Sequence, residues 1–494
     1  MHKVGSKAFV AIRAVNTVLE NINLLKEYPA ETGYTAEELE DQLIGQCYFL
    51  RAFHYFQIIR RYGGYTIMNQ VFGPDHDFDK ARPSYLQSSD SLVADLDKAI
   101  KLLPVKWNDQ NKGRVTKTTA QALKGMALLY AASPLMNPQL NPYGSSSKEY
   151  NLEYAEKAVF ATLEAIESYA EGGYQMYSKE DYTKNWYRRE YGFSDEALLV
   201  PPLSSASSPD GTGLAGKGWF LPQFMGGWLS EGQPTQNAVD WFETADGYDV
   251  NDPDAITSGS FDPANPYENR DPRLKMLVFV HGDDMYGELS SPTSGVPRDL
   301  QATPDGYHYK YEEGKSKFWC GYYHKGKHRW PGCDKWHTST GWYRNFPHIR
   351  VAQLYLDFAE AANEVYGPTG AVPGTSLTAV GAINLLRQRV DMPPVLAKYT
   401  TDSEAFKERI YNERAVELYH EFHRWFDLRR WKLAKEVLPQ GIYAADIRKV
   451  DGQLVYGKKK LETSMRVFED KHYWYPFPTD MMNMMSEFEQ NPGW

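Results

Sequence analysis

The stretch RAFHYFQIIRRYGG, residues 51–64, is crowded with aromatic rings and ends at two glycines. The helical pattern around it runs from about residue 37 to residue 62, where Gly63-Gly64 supplies a C-terminal stop. On a helical wheel one stripe comprises Tyr48, Ala52, Tyr55, Ile59 and Tyr62, and a second, about 100° away, comprises Phe49, Phe53 and Phe56. A helix with two adjacent apolar stripes packs against neighbours on two sides. The rings are therefore predicted to be mostly core.

The same double pattern returns near the other end of the chain, in residues 351–366. There one stripe comprises Ala352, Tyr355, Ala359, Ala362 and Tyr366, and the other comprises Val351, Leu354, Phe358, Ala361 and Val365. Further helices are predicted in residues 118–133, 151–169, 377–390 and 403–431. Small residues at the contact positions allow close helix approach, although no fixed repeat length can be read. We therefore expect a mainly α fold with a tetratricopeptide-like helical scaffold.

The chain changes character between about residues 172 and 346. Pro, Gly, Ser and Asp become frequent, helical periodicity fades, and turn sequences such as SPDG (208–211) and NDPD (251–254) recur. Long irregular loops of this kind usually carry function. The predicted parts are an N-terminal helical part of the scaffold (1–171), an irregular aromatic-rich insertion (172–346), a C-terminal helical part (347–435), and an extended segment packing on the scaffold (436–494).

Bulk properties exclude some classes of protein. The chain has 494 residues and a formal net charge of −10, which argues against a nucleic-acid partner. No apolar run approaches the roughly 18 residues of a membrane span. Arg13 interrupts the apolar start of the chain, so no signal peptide is recognisable.

The helix at residues 51–64 resembles the signature helix of the SusD/RagB family of outer-membrane glycan-binding lipoproteins. Other segments resemble that family in the same order along the chain. They are IRAVNTVLENI (12–22), SLVADLDKAIKLLP (91–104), AASPLMNP (131–138), AVDWFETADG (238–247), ENRDPRL (268–274), IRVAQLYLDFAEAANE (349–364), ERAVELYHEFHRWFDLRRW (413–431) and YPFPTDMM (475–482), before the closing QNPGW (490–494). Collinear matches across nearly the whole chain are more specific than any single one.

The resemblance implies a tetratricopeptide-like scaffold with ligand-contacting loops packed over it. It also implies exposure at the cell surface, attachment to the outer membrane by a lipidated N-terminal cysteine, and a SusC-like TonB-dependent transporter as partner, over which the protein sits as a lid. The chain begins almost at the family helix matched by residues 12–22, so we expect the signal peptide and the lipid-bearing cysteine to be missing from it. Phe422 stands where glycine is common in the family, which we expect to affect the fold little.

Aromatic residues are concentrated in one part of the insertion, residues 307–346, where they alternate with Lys and Arg. A sugar has flat C–H faces and a rim of hydroxyls, so a binder needs exposed rings beside polar groups. The candidate glycan-binding residues are Trp319, Trp330, Trp336 and Trp342, with Trp219 and Trp228 in a second strip at residues 216–232. Alternatively, these rings build small local cores under the loops.

Cysteines and histidines suggest a second possible feature of the insertion. Cys320, His324, His328, Cys333 and His337 are zinc-ligand types, but their spacing matches no known zinc finger. For an extracellular protein a Cys320–Cys333 disulfide ranks first, two thiols second and zinc third. Residues 251–254 are acidic enough for calcium but lack the EF-hand pattern, and no cofactor is predicted.

A run of charged residues could be mistaken for a catalytic site. Glu413, Glu417 and Glu421 recur at four-residue steps beside Arg414, Arg424, Arg429 and Arg430. A glycosidase needs two acids facing a cleft, whereas acids on one helix stripe beside arginines indicate a structural ion-pair network. In RDPRL, residues 270–274, Arg270 and its neighbours are predicted to fix a turn, with Pro272 preventing a helix.

The resulting hypothesis is a non-catalytic glycan-binding protein that captures oligosaccharide and delivers it to the transporter. Phosphate-binding glycine loops, nucleophile elbows and the HExxH motif are absent from the sequence. A glycoside hydrolase and a helical-repeat adaptor that binds peptides remain as alternatives.

Overall fold

The computed structural model describes residues 4–27, 34–73, 75–137, 147–188, 192–200, 233–286, 295–313, 319–325, 343–344, 347–461 and 466–494. The fold of these residues is mainly α, as predicted. Its helices form one stack, and the strands pair two by two. None of the helices in the described ranges is long and apolar enough to cross a membrane.

Five long helices form the first part of the stack. They are α1 Val4–Glu20, α2 Ala36–Tyr62, α3 Tyr85–Leu102, α4 Lys117–Ala132 and α5 Leu152–Ser168, and each packs against the next. The helix α2 begins at a capping box made by Thr35 and Glu38 and ends at Gly63, whose φ is 83°. The prediction for residues 51–64 is confirmed, because Tyr55 and Phe56 are fully buried and the glycine ends the helix.

Close backbone approach explains the second glycine of that stretch. A Cβ on Gly64 would lie 2.0 Å from the carbonyl oxygen of Pro83. The C-terminal segment then closes over the same place, since the Asn491 amide donates to the Tyr62 carbonyl at 2.9 Å and accepts from Arg82 at 2.8 Å. The end of α2 is therefore fixed by contacts from two distant parts of the chain.

Short elements follow between α5 and the second part of the stack. The helices are α6 Gln236–Val239, α7 Pro253–Thr257, α8 Pro272–Leu277 and α9 Tyr307–Glu312. Antiparallel pairs join β1 Tyr187–Arg188 to β5 Tyr343–Arg344, β2 Ala197–Leu199 to β6 Ile349–Arg350, and β3 Val278–Phe279 to β4 Tyr323–His324.

The second part of the stack continues directly from the first. Its helices are α10 Val351–Tyr366, α11 Ala379–Gln388, α12 Ser403–Glu417 and α13 Arg424–Arg430, followed by the short α14 Ala434–Val437 and α15 Thr479–Met484. The helix α5 packs on α10, which packs on α11 and α12. The chain thus leaves the stack after α5 and returns beside it at α10. As predicted, α10 is buried on both stripes, with Ala359 of one stripe and Leu354 of the other inaccessible or nearly so.

Residues 403–431 form two helices where one was predicted. The helix α12 ends at Glu417 and α13 begins at Arg424. Between them His420 has a φ of 61° and Phe422 a φ of 66°. Left-handed backbone cannot continue a right-handed helix, so the chain turns here. No glycine or proline lies in this range to signal the break.

The prediction that Pro272 prevents a helix is wrong, because Pro272 is the first residue of α8. Proline suits that position, where its missing N–H is not needed and its φ is preset. The Asp271 side chain caps the helix by accepting from the Arg273 amide at 2.9 Å. Arg270 holds the preceding backbone, since its Nη2 donates to the Val239 carbonyl at 2.7 Å.

A β-hairpin near the C-terminus was not predicted. Strands β7 Tyr443–Val450 and β8 Gln453–Lys460 pair in register through a two-residue turn. Asp451 and Gly452 both have positive φ, 49° and 80°, as a turn of type I′ requires. The hairpin packs on α6 through β7.

Candidate functional site

The predicted glycan-binding tryptophans fall mostly outside the described residues. Trp219, Trp228, Trp330, Trp336 and Trp342 lie there, so their ligand role stays a prediction. Trp319 is described and is half-buried, with its ring 5.1 Å from that of Tyr323 in a small apolar cluster. This local packing matches the alternative interpretation for Trp319 and leaves part of its surface accessible.

The predicted cysteine pair is described only at one end. Cys320 is buried, whereas Cys333 lies outside the described residues, so the disulfide stays a prediction. His324 of the same motif is 3.0 Å from the hydroxyl of Tyr419 through Nδ1. In the part of the chain that the structure describes, no group of His, Cys, Asp or Glu could hold a metal ion.

The glutamates of α12 are buried in ion pairs, as predicted. Arg273 pairs with Glu413 and Glu417, Arg350 with Glu196, Glu417 and Glu421, Arg389 with Glu196 and Glu417, and Arg387 with Glu243 and Glu413. Burial alone would raise the pKa of Glu417, but the surrounding arginines hold this pKa well below its ordinary value. The carboxylates are therefore committed to structure, and the network joins the insertion to the stack.

Two arginines of the predicted network are correctly assigned to it. Arg414 donates to Asp357 at 2.5 Å and reaches Asp427 at 3.4 Å. Arg430 donates to Asp427 at 2.9 Å and also binds Glu360. The helices α10, α12 and α13 are thereby joined through buried charges.

The prediction of an ion pair is wrong for Arg424. Arg429 donates to the carbonyl of Tyr473 at 2.8 Å through Nε. Arg424 has no salt bridge with any described residue, and its Nε and Nη1 are buried without a hydrogen-bond acceptor. Burial lowers the pKa of Arg424 from its ordinary value. Arg424 as a whole is half-buried, and two buried guanidinium nitrogens without acceptors are uncommon in proteins and require an explanation.

A cleft of about 280 Å³ surrounds this guanidinium. It lies between residues 233–241 on one side and residues 414–427, which include the turn from α12 to α13, on the other, and is called the Arg424 cleft below. The guanidinium carbon of Arg424 lies 5.0 Å from the ring centre of Trp241 and 5.8 Å from that of Trp431. Contacts of this kind hold a cation in place without neutralising it.

The turn presents aromatic rings at the rim of the Arg424 cleft. Because Phe422 has left-handed backbone, its ring points away from the stack and is 70% exposed. Trp425 is 38% exposed, and its indole N–H donates to the Tyr475 hydroxyl at 2.9 Å. Flat aromatic faces can stack on a sugar ring, and a guanidinium beside them can bind the oxygens of the sugar.

A second and larger cleft, of about 640 Å³, lies between α1, residues 65–80 and α15. Phe72 and His76 stack there at 4.0 Å, and Phe78 is partly exposed. In this cleft the Asn16 amide is already engaged, since it donates to the carbonyls of Met68 and Gln70 at 3.0 Å. The Arg424 cleft is the stronger candidate because it holds a charged group without an acceptor.

The sequence could not have revealed this cleft. In the structure the cleft is recognised by an arginine that lacks a carboxylate partner among the described residues. The sequence around Arg424 instead predicts a carboxylate partner three or four residues away. The exposed Phe422 depends in turn on a left-handed backbone that no glycine marks.

Solved structures with the same fold include two from Bacteroides fragilis NCTC 9343. A SusD-like protein superposes with a TM-score of 0.73 at 25% identity, covering 100% of this chain and 86% of that one. A SusD-like carbohydrate-binding protein superposes with a TM-score of 0.69 at 20% identity, covering 99% and 86%. The second likeness concerns the fold alone.

Sequence relatives come from Formosa agariphila. SusD-like protein P2 is 27% identical over 156 residues, which are 30% of this chain and 26% of that protein. SusD-like protein P25 is 36% identical over 91 residues, 18% of this chain and 16% of that protein. The chain thus matches about a quarter or less of the length of these curated relatives.

Two family models match the chain. The model described as "Starch-binding associating with outer membrane" matches residues 5–129. The model described as "SusD family" matches residues 174–494, well over half of the chain. On that match the chain belongs to the SusD family.

Proposed function

We propose that this protein binds glycans at the cell surface and delivers them to a TonB-dependent transporter of the outer membrane. The observation that carries the proposal is the SusD-family match across residues 174–494. The description of the second matching model, which mentions starch binding and association with the outer membrane, supports it.

The Arg424 cleft is the proposed site of capture. The exposed faces of Phe422 and Trp425 stack on the C–H faces of a sugar ring, and Arg424 binds its oxygens. The cleft lies at Gln233, where the described chain resumes after the strip that contains Trp219 and Trp228. Those tryptophans remain predicted contacts that extend the site along a longer glycan.

The protein is proposed to be a binder and not an enzyme. A glycosidase needs two carboxyl groups facing one cleft. Among the described residues that line the Arg424 cleft, the acid is Asp427, a single carboxylate that already accepts from two arginines. Although burial alone would raise it, Arg414 and Arg430 lower the pKa of Asp427 to about 2, which makes it a poor general acid.

Association with the membrane is proposed to depend on a lipid anchor. The protein would then sit over its transporter as a lid, and glycan would pass from the cleft to the pore. This arrangement requires a stable complex between the two proteins.

Affinity electrophoresis of the full chain tests the proposed binding, with gels that contain neutral or acidic polysaccharides. We expect at least one polysaccharide to retard the protein and none to be shortened after long incubation. Retardation by no polysaccharide contradicts glycan binding, and release of shorter products indicates the glycoside hydrolase instead.

Copurification tests the proposed partner. A tagged form of this protein, expressed with its lipid anchor beside a SusC-like transporter, is expected to retain the transporter through detergent extraction. Recovery of the protein alone contradicts delivery through such a complex. Recovery of a peptide-bearing partner with no affinity for glycans supports the adaptor alternative.

A further inference from the structure

We propose that the Arg424 cleft selects a sugar residue bearing a carboxylate or a sulfate group, so that the preferred substrates are acidic glycans. This inference rests on the proposed glycan binding and names the class of glycan.

The charged residues of the cleft are paired unequally. Its lining contains two arginines, Arg414 and Arg424, and one acid, Asp427. Asp427 is shared between Arg414 and Arg430, and Arg414 is held by Asp357 as well. Arg424 therefore remains without a carboxylate partner within 4 Å in the described parts of the chain, although Asp427 and Glu408 are near enough to act on its charge. Its guanidinium is the one in this lining that an anionic ligand can still pair with directly.

The placement of the Arg424 guanidinium favours an anionic ligand. Its Nε and Nη1 are shielded from water and lack acceptors, and the side chain lines the cleft. The ring of Trp241 lies over one part of the group and limits where a ligand can approach. A half-buried charge interacts more strongly with an anion than a fully exposed one, because less water is present to screen it. A neutral hydroxyl satisfies one hydrogen bond there but cannot balance the charge.

The aromatic rim of the cleft indicates that the anionic group belongs to a sugar. Inorganic anions have no apolar face, whereas a sugar ring offers one to Phe422 and Trp425. The volume of about 280 Å³ is just below the roughly 300 Å³ at which pockets for drug-sized ligands begin. The cleft therefore holds one or two sugar residues of a longer chain.

The overall charge of the protein affects acidic and neutral glycans differently. At a net charge of −10 the molecule as a whole repels polyanions, so acidic glycans are attracted only where positive charge is local. Acidic ligands should then bind more weakly as salt is added, and neutral ligands should not.

Isothermal titration calorimetry on the full chain tests the inference. The probes are oligogalacturonate, a sulfated galactan oligosaccharide and a neutral galactan oligosaccharide, each at low and high NaCl. Using both acidic probes separates carboxylate from sulfate recognition. We expect at least one acidic probe to bind at least tenfold more tightly than the neutral one, with an affinity that falls as salt rises.

Variants assign the effect to the cleft. Arg424→Gln is expected to weaken binding of the acidic probe at least tenfold and that of the neutral probe less than twofold. Arg448→Gln removes the same charge from the exposed hairpin strand and is expected to change neither. Circular dichroism and thermal unfolding verify folding, and the salt series on the unaltered protein provides a second test if Arg424→Gln does not fold.

Each outcome decides between the two proposals. Binding of neutral glycans alone, or equal weakening of both probes by Arg424→Gln, overturns the selection of acidic glycans and leaves glycan binding intact. Binding of no glycan in a panel of acidic and neutral polysaccharides overturns the proposed function and this inference together.

Discussion

Single residues near the Arg424 cleft show how strain and exposure go together. Phe422 combines a φ of 66° with a side chain that is 70% exposed. Both features are unfavourable for a phenylalanine in a soluble protein. Glycine at this position would remove both. The exposed face of the ring is the part of Phe422 that the proposed site uses to stack on a sugar.

A pair of substitutions separates the two features of Phe422. Phe422→Ala removes the ring but keeps the strained backbone, whereas Phe422→Gly removes both. We expect equal losses of glycan affinity, because both variants lack the stacking face. Urea unfolding should give the glycine variant a free energy of unfolding about 1 kcal/mol higher than that of the alanine variant. Unchanged glycan affinity in both variants contradicts a role of Phe422 in binding.

A second residue, Glu364, should make stability depend on pH. Burial raises its pKa from 4.5 to about 7, although Lys407 lies 3.0 Å away and opposes the shift. Between these values the folded state holds a proton that the unfolded state has released. The free energy of unfolding should therefore fall as pH rises through this window.

Glu364→Gln tests this expectation because glutamine resembles the protonated acid and does not titrate. The variant should gain stability relative to the unaltered protein between pH 5 and pH 8, by up to about 3 kcal/mol. Urea unfolding at both pH values measures the difference, with the exposed Glu153→Gln as control. A stability difference that does not change with pH contradicts the raised pKa.

At the scale of elements, helices with two buried stripes could be predicted and the breaks between them could not. Burial on two sides forces an apolar pattern that is readable in the sequence, so α2 and α10 were located almost to the residue. The turn between α12 and α13 depends on left-handed φ at His420 and Phe422, which no residue type announces. The hairpin was missed because β8 alternates polar and half-buried residues without a strong apolar face.

The close approach of α4 and α5 provides a test at this scale. A Cβ on Gly125 would lie 2.3 Å from Oγ1 and 3.2 Å from Cα of Thr162. Gly125→Ala should therefore lower the free energy of unfolding by about 1–3 kcal/mol despite the better helix propensity of alanine. The loss should shrink in a Thr162→Ala background, where the nearest atom is absent. Equal losses in both backgrounds contradict the contact.

At the scale of the whole molecule, buried charge joins the insertion to the stack. Glu417 of α12 accepts from Arg273, which belongs to the insertion, and from Arg350 and Arg389. The sequence predicts this ion-pair network around α12, but it could not show that Arg424 has no carboxylate partner among the described residues. That omission defines the cleft, since Arg424 lies outside the network while its neighbours Arg414 and Arg430 lie inside it.

Glu417→Gln should destabilise the whole protein. The change removes the one carboxylate that Arg273, Arg350 and Arg389 share, so that three buried arginines keep fewer negative charges beside them. Removing one partner of a buried ion pair typically costs about 3–5 kcal/mol. Chemical unfolding followed by tryptophan fluorescence measures the loss, and Glu153→Gln, in an exposed pair with Lys157, should change it by less than about 1 kcal/mol. Similar effects of the two substitutions contradict the structural role of the network.

The crystal structure of the full chain with a bound acidic oligosaccharide tests the central claim most directly. The account predicts a sugar ring against Phe422 and Trp425, with its carboxylate or sulfate in contact with Arg424. A well-ordered oligosaccharide bound elsewhere on the protein, with the Arg424 cleft empty, would contradict it.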